Sequence, residues 1–189
     1  MRILGISGSL RSASHNTALL GAAAELAPEG VTLEIYEDLE LLPPYNEDRD
    51  TDDPPAEVAR LRTEIDAADA VLFSTPEYNT TMPGQMKQVV DWASRPHGPD
   101  SALWGKPVAV MGASITDYGA MWAQDHLRKA LGVSGARVLD AELSVARAQD
   151  LFTADGELPD PETRDRLAEL VEGLVEHHGR YAKVASQAR

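Results

Sequence analysis

The chain has 189 residues, no cysteine and a formal net charge of −14 at pH 7. This length suits one domain over residues 1–189, and the lack of cysteine excludes disulfides, thiolate catalysis and cysteine-ligated metal centres. The acidic charge argues against nucleic acid and anionic membranes as partners, so a phosphate-bearing ligand would need local donors such as backbone amides and single arginines.

Apolar runs alternate with helical patterns along the chain, which is typical of βαβ units in a mostly parallel sheet. Five runs predict strands near residues 2–7, 31–36, 69–75, 107–113 and 136–141. Apolar residues at helical spacing predict helices over 17–26 and 55–67, from Pro83 onward, and after Pro159 and Pro161. Together, five strands and about five helices predict a three-layer α/β fold, doubly wound around a five-stranded parallel sheet of order 2-1-3-4-5.

The loop after the first strand has the composition of a phosphate site. Gly8 allows close backbone approach, and polar groups follow it: the hydroxyls of Ser9, Ser12 and Ser14, the guanidinium of Arg11, and Asn16 and Thr17 at the start of the helix. A helix N-terminus with free amides beside an arginine can bind a phosphate dianion. The loop matches neither the Walker A motif nor the full dinucleotide glycine pattern. A plain serine-rich turn with a solvated arginine is an equally weighted alternative.

The loop after the third strand has different chemistry. Pro76 and Pro83 bracket Glu77, Tyr78 and Asn79 in a constrained strand-to-helix turn. Such a turn can present a tyrosine edge, an asparagine amide and backbone donors to a flat heteroaromatic ring. Ligands of open parallel sheets bind beyond the carboxyl ends of the strands, where the strand order reverses, so both loops are predicted to face one crevice. The alternative is a polar turn whose tyrosine packs for stability.

These two loops together resemble the NAD(P)H-dependent FMN reductase family of flavodoxin-like proteins, which includes quinone, azo-dye and chromate reductases. The likeness spans nearly the whole chain and rests on Gly8-Ser9-Leu10-Arg11 with Ser14 and Asn16, Leu42-Pro43-Pro44-Tyr45-Asn46, Pro76-Glu77-Tyr78-Asn79, Pro83, Lys87 and Asp91-Trp92-Ala93-Ser94-Arg95. The resemblance implies an FMN whose phosphate is bound by Ser9, Arg11, Ser14, Asn16 and Thr17. It places the isoalloxazine ring along Pro76, Glu77, Tyr78 and Asn79.

The same resemblance implies an enzyme that takes hydride from NADPH or NADH onto FMN and passes electrons to a quinone, flavin, azo or metal-oxyanion acceptor. Since the flavin N5 carries the chemistry, no catalytic side chain is predicted. A homodimer or homotetramer with a small-molecule acceptor is the expected assembly. Three alternatives stay open: a flavodoxin-like electron carrier without nicotinamide turnover, a Rossmann-type enzyme using Glu37 or Asp38 for a ribose, and a non-enzymatic regulator that has lost the flavin.

Further predictions concern the loop after the fourth strand and Trp92. The loop from Gly112 to Gly119 follows the fourth strand, where members of the resembled family carry a more glycine-rich turn. Ile115, Asp117 and Tyr118 add bulk to the expected rim of the flavin pocket, and Ser114 is the predicted flavin contact of this loop. Trp92 lies opposite the apolar face of its predicted helix. It is therefore expected either to pack as a satellite residue or to anchor a subunit interface with Trp104, and the resemblance favours the interface.

Neither metal binding nor membrane association is expected. The five histidines are scattered or, at His177 and His178, adjacent, which is a poor chelating spacing on a helix. No apolar run approaches the roughly 20 residues that span a bilayer, and the N-terminus enters a strand without a signal-peptide pattern. The predicted location is therefore cytoplasmic.

Overall fold

A computed structural model describes the backbone of residues 1–187 and the side chains of residues 1–180. Five parallel strands form one sheet of order β2-β1-β3-β4-β5, which confirms the predicted topology. The strands are β1 (Arg2–Ser7), β2 (Thr32–Ile35), β3 (Ala70–Ser74), β4 (Pro107–Ala113) and β5 (Arg137–Val145). The strand order reverses between β1 and β3, which opens a crevice at their carboxyl ends.

Helices cover both faces of the sheet. They are α1 (His15–Glu25), α2 (Ala56–Ala67), α3 (Gly84–Ala93), α4 (Met121–Val133), α5 (Ala148–Leu151) and α6 (Pro161–Gln187). One core cluster packs α2, α3 and α4 against the sheet, and the other packs α1, α5 and α6 against the opposite face. This is the predicted three-layer α/β architecture. None of the helices in the described part of the chain is long and apolar enough to cross a membrane.

The central strands are buried on both faces, which explains their unbroken apolar sequences. In β3, Val71 and Phe73 belong to one core cluster and Leu72 to the other, and all three side chains are fully buried. Burying a side chain of this size stabilises the fold by about 1.5–3 kcal/mol. The sheet is therefore a rigid base for the loops at its carboxyl edge.

Two elements differ from the sequence-based boundaries. Strand β5 runs to Val145 instead of ending at residue 141, because Asp140 and Glu142 are exposed on an edge strand and break the apolar run. Helix α4 had no predicted start. It follows Ala120, which has a left-handed backbone (φ 63°) and no capping side chain of its own.

Trp92 corrects a prediction about assembly. Its side chain is completely buried, its indole N–H donates to the carbonyl of Pro43 at 2.8 Å, and the Tyr45 ring packs edge-on with centroids 4.8 Å apart. The segment from Leu42 to Tyr45 of the same chain thus covers the second face of α3. The predicted interface role of Trp92 is wrong, whereas Trp104 is half-exposed.

Candidate functional site

Three loops emerge side by side at the carboxyl edge of the sheet. We call residues 8–17 the cup, residues 75–83 the ring loop and residues 114–120 the rim loop. The hydrogen bonding of the sheet continues into the first residues of these loops. Gly8 N donates to Ser74 O at 2.8 Å, and Thr75 N donates to Met111 O at 2.9 Å. The loops predicted to share one crevice are therefore neighbours.

The cup ends in the N-terminus of α1. Ser14 is the N-cap, and its buried hydroxyl oxygen accepts from Thr17 N at 3.2 Å. The Thr17 hydroxyl in turn donates to Ser7 Oγ at 2.8 Å. The first N–H groups of the helix, those of His15 and Asn16, have no acceptor within the helix. They and the helix dipole provide the features of an anion site.

Arg11 adds an exposed cation to the cup. It is exposed, its guanidinium donates to Ala13 O at 3.3 Å, and none of the ion pairs among the described side chains involves it. Its backbone N–H points to Ser9 Oγ at 3.4 Å. Burial against Phe152, and then the charge of Arg11, lower the pKa of His15. The cup is therefore a locally positive spot in an acidic chain.

Asn16 does not face the cup with its side chain. The amide is buried: Nδ2 donates to Ala113 O at 2.9 Å, while Oδ1 accepts from Ala113 N at 3.0 Å and from Ser74 Oγ at 2.9 Å. This leaves the backbone N–H as the group that can meet a phosphate. The side chain ties the start of α1 to the ends of β3 and β4, a role that sequence reasoning missed.

Glycines allow the three loops to approach closely. A Cβ on Gly8 would lie 3.1 Å from Pro76 Cδ, and one on Gly112 would lie 2.7 Å from the Thr75 carbonyl oxygen. The Cβ atoms of real side chains essentially never lie within 2.7 Å of another heavy atom, so Gly112 cannot carry a side chain without a shift of the backbone. The buried Pro76 is thus pressed against the cup, as expected for two loops that bind one ligand.

The ring loop carries a tight turn. Tyr78 and Thr81 exchange backbone hydrogen bonds of 3.0 and 3.3 Å, and Asn79 (φ 51°) and Thr80 (φ 62°) between them are left-handed. This is the pattern of a type I′ turn. A β-branched residue in that region costs of order 1–3 kcal/mol, a strain that clusters at functional sites. The turn leaves Tyr78 and Asn79 exposed at the crevice.

Glu77, predicted to lie along a flavin ring, has a structural partner. Its carboxylate accepts from Ala123 N, in the first turn of α4, at 3.2 Å. It therefore supplies the cap that Ala120 lacks and fixes α4 to the ring loop. This contact leaves the backbone of Glu77 available to a ring. No local signal could reveal this contact, because the two residues are 46 positions apart.

The rim loop has the bulk that the sequence indicated. Ser114 Oγ is 3.0 Å from Thr116 Oγ1, and Asp117 forms an exposed ion pair with Arg147. The rings of Tyr118 and Trp122 lie 4.8 Å apart and are partly exposed. Sequence reasoning named Tyr118 but missed Trp122, although the spacing of four residues was visible. The result is an apolar, aromatic edge to the crevice.

The residues present fit FMN. A phosphate monoester matches the free N–H groups of the cup and Arg11, and a flat ring matches the space bordered by the ring loop and the rim loop. Of the two carboxylates that the Rossmann-type alternative would use, Asp38 is already paired with Arg60 at 2.8 Å. Within residues 1–180, no three His, Asp or Glu side chains are grouped as metal ligands.

Known proteins with related sequences and structures are flavoenzymes. A family model described as NADPH-dependent FMN reductase matches residues 1–150. An NAD(P)H-dependent FMN reductase of Pseudomonas aeruginosa is 43% identical over 175 residues, which cover 92% of this chain and 93% of that protein. A quinone reductase of Pseudomonas putida is 40% identical over 166 residues, covering 87% and 88%. The solved structure of a flavoenzyme NAD(P)H:(acceptor) oxidoreductase from Paracoccus denitrificans is 34% identical, with a TM-score of 0.85 over 95% of this chain and 97% of that chain.

Proposed function

Because the chain belongs to the NADPH-dependent FMN reductase family, an oxidoreductase family with FMN as cofactor and NAD(P)H as donor, we propose that it reduces a quinone through FMN bound in the crevice. The observation that carries the proposal is the cup, whose free helix N–H groups and unpaired arginine lie beside the exposed turn of the ring loop. Flavins, azo compounds and metal oxyanions are further acceptors that this proposal covers.

The cup would bind the phosphate of FMN. Arg11 supplies the cation, the hydroxyls of Ser9 and Ser14 and the N–H of Asn16 supply donors, and the Thr17 hydroxyl would join them by turning from Ser7 Oγ to the phosphate. Hydrogen bonds to a charged phosphate are each worth about 1.5–3 kcal/mol, enough to offset the unfavourable field of an acidic chain.

The ring loop and rim loop would position the isoalloxazine. Pro76 and the backbone of Glu77 line its inner side, Tyr78 and Asn79 its exposed side, and Ser114 its far edge. When bound, FMN supplies the hydride-accepting atom, so the protein needs no general base. The chain's own task is to orient the ring and to keep one side open for nicotinamide and acceptor in turn.

The assembly, location and domain organisation belong to the same proposal. Exposed apolar side chains around the crevice, among them Ile115, Tyr118 and Trp122, support a homodimer or homotetramer. One continuous sheet with α6 packed against β5 supports a single domain over residues 1–189. The proposal also includes a cytoplasmic location for the protein.

Purified protein tests the cofactor first. It should be yellow, release FMN on heating, and oxidise NADPH or NADH when a quinone is supplied. Arg11→Ala should weaken FMN binding by about 1.5–3 kcal/mol without unfolding the protein, whereas Arg166→Ala on the exposed surface of α6 should leave it unchanged. Release of FAD alone, or a yellow protein inert towards both nicotinamides, would overturn the proposal and favour another flavoprotein class, in the second case an electron carrier.

A further inference from the structure

We propose that Gln124 is a positioning residue of the quinone reaction. Its buried amide holds the start of α4, and with it the end of the rim loop, at a fixed distance from the ring loop. The inference rests on the proposed function, which places the flavin ring between these two loops. Gln124 itself touches neither cofactor nor acceptor and acts through the backbone that it holds.

Gln124 is a polar residue on the buried face of α4. The other buried residues of this helix are Ala123, Leu127 and Leu131, and Gln124 is as inaccessible as they are, with 0% of its surface exposed. An amide loses its bonds to water when it is buried, so an apolar side chain of similar volume would pack here more favourably. A buried glutamine therefore needs partners that compensate for the lost water.

The side-chain nitrogen of Gln124 donates to two different segments. Nε2 donates to the carbonyl oxygen of Gly119, near the end of the rim loop, at 3.2 Å and to Ser144 Oγ in β5 at 2.9 Å. A carbonyl oxygen can only accept, so the bond to Gly119 fixes the orientation of the amide. One side chain thus joins the exit of the rim loop to the sheet.

The side-chain oxygen of Gln124 indicates which bonds explain the residue. Oε1 is buried, and no donor among the described residues bonds to it. An unpaired buried oxygen destabilises the folded state, so a residue that served stability alone would not be expected to carry one. The two bonds donated by Nε2 are therefore the reason for a glutamine at this position.

The exit of the rim loop has an unfavourable backbone conformation. Gly119 (φ 56°) and Ala120 (φ 63°) are consecutive left-handed residues, and a Cβ on Gly119 would lie 2.7 Å from the carbonyl carbon of Ser144. Left-handed backbone is unfavourable for alanine and persists only where the surrounding structure enforces it. The Gln124 amide bonds to both sides of this contact and so holds the exit of the loop against β5.

The same turn of α4 is tied to the ring loop. Ala123, the neighbour of Gln124, donates its backbone N–H to the Glu77 carboxylate at 3.2 Å. A Cβ on Gly112 would lie 3.2 Å from Gln124 Nε2, so the amide also packs against the end of β4. The ring loop, the rim loop and the sheet thus meet at the start of α4, and Gln124 sets the separation of the two loops. The exposed side chains of residues 115–118 can vary around this fixed exit.

Gln124→Met tests the role, because it keeps the length of the side chain but removes both donors. In the FMN-loaded protein the KM for a quinone should rise roughly tenfold while kcat stays within about twofold, since a displaced rim weakens acceptor binding before the chemistry. FMN affinity should stay within about threefold, because the phosphate is bound at the cup. Hydrogen exchange in peptides that cover residues 114–124 should be about tenfold faster with or without FMN, and unchanged in the cup.

Two further variants separate positioning from packing. Leu127→Met alters the same buried face of α4 but removes no hydrogen bond, so the KM and the exchange rates should stay at their wild-type values. Ser144→Ala removes one partner of the amide without changing α4, and should raise the KM about threefold. The double variant of Gln124→Met and Ser144→Ala should be no worse than Gln124→Met alone, because both changes act through the same amide.

An unchanged KM in Gln124→Met would overturn the inference, even with faster exchange, because the residue would then be merely structural. Leu127→Met with an equal rise in KM, or additive effects of Gln124→Met and Ser144→Ala, would overturn it as well. If Gln124→Met does not fold, Ser144→Ala decides by the same two measurements. A wild type that binds FMN but reduces no quinone would overturn the proposed function and this inference with it, whereas a wild type that shares its quinone KM with Gln124→Met overturns the inference alone.

Discussion

The cup and the rim loop follow strands of the same sheet, yet they are held in opposite ways. The cup is fixed from beneath by buried groups, above all the Asn16 amide with its bonds to Ala113 and Ser74. The rim loop exposes every side chain from Ile115 to Tyr118, and its ion pair to Arg147 lies in solvent. The phosphate of a cofactor has a fixed shape, so donors held rigidly in place suit it. A rim that contacts varied acceptors can change its residues without destabilising the fold.

The largest expected effect comes from removing the tie beneath the cup. Asn16→Ala deletes three buried hydrogen bonds and leaves the Ala113 N–H and the Ala113 carbonyl without their partner. We expect the free energy of unfolding to fall by about 2–4 kcal/mol and FMN to be lost on gel filtration. Urea denaturation measures the first quantity and absorbance the second.

Ser12→Ala is the matched control for that experiment. Ser12 is an exposed residue of the same loop, and its loss should change stability by less than about 0.5 kcal/mol. If Asn16→Ala were no more harmful than Ser12→Ala, the cup would be held by something other than the buried amide, and the contrast with the rim would fail.

A pair of glycine substitutions probes the contact between the strand ends. Gly112→Ala would bring a Cβ to 2.7 Å from the Thr75 carbonyl oxygen, so the backbone must shift, at a cost of about 1–3 kcal/mol. Gly21→Ala, in the middle of α1 with no atom within 4 Å, should instead stabilise the protein by about 0.5–1 kcal/mol. Thermal and urea unfolding of both variants would show whether the signs differ, and equal signs would contradict the packing described here.

The sequence was sufficient to predict the sheet, its strand order and the position of the two polar loops at its carboxyl edge. Each rests on a local signal: unbroken apolar runs for the buried strands, and glycine, proline and polar residues at their carboxyl ends. The start of α4 had no such signal. Its cap comes from the Glu77 carboxylate, far away along the chain, while the residue at the cap position itself is Ala120.

Side-chain direction was harder to predict than position. Helical spacing placed Trp92 outside the apolar face of α3, but the Leu42–Tyr45 segment folds over that side and buries it. Asn16 lies in the cup, yet its amide turns to the sheet because the ends of β3 and β4 offer backbone and hydroxyl groups there. Both outcomes depend on tertiary contacts that no spacing in the sequence encodes.

His15 makes the stability of the cup depend on pH. Burial and then Arg11 lower its pKa below the unfolded value of 6.5, so the folded state prefers the neutral ring. The associated stability is fully present above the unfolded pKa and is lost as the pH falls through the folded pKa. His15→Gln should therefore lose less stability than wild type between about pH 7 and pH 5 in urea titrations of the flavin-free protein. A larger loss in the variant would contradict this sign.

The smallest effect is expected at the rim. Asp117→Asn removes the charge of the ion pair with Arg147 but preserves the shape of the side chain, and both partners are about two-thirds exposed. Exposed pairs contribute little to stability, so the urea midpoint and FMN affinity should match wild type. The KM for a quinone should change by no more than about twofold, because an exposed ion pair contributes little energy. If this substitution released FMN as Asn16→Ala is expected to do, the rim would be part of the cofactor-binding framework, and the distinction between a fixed cup and a replaceable rim would have to be abandoned.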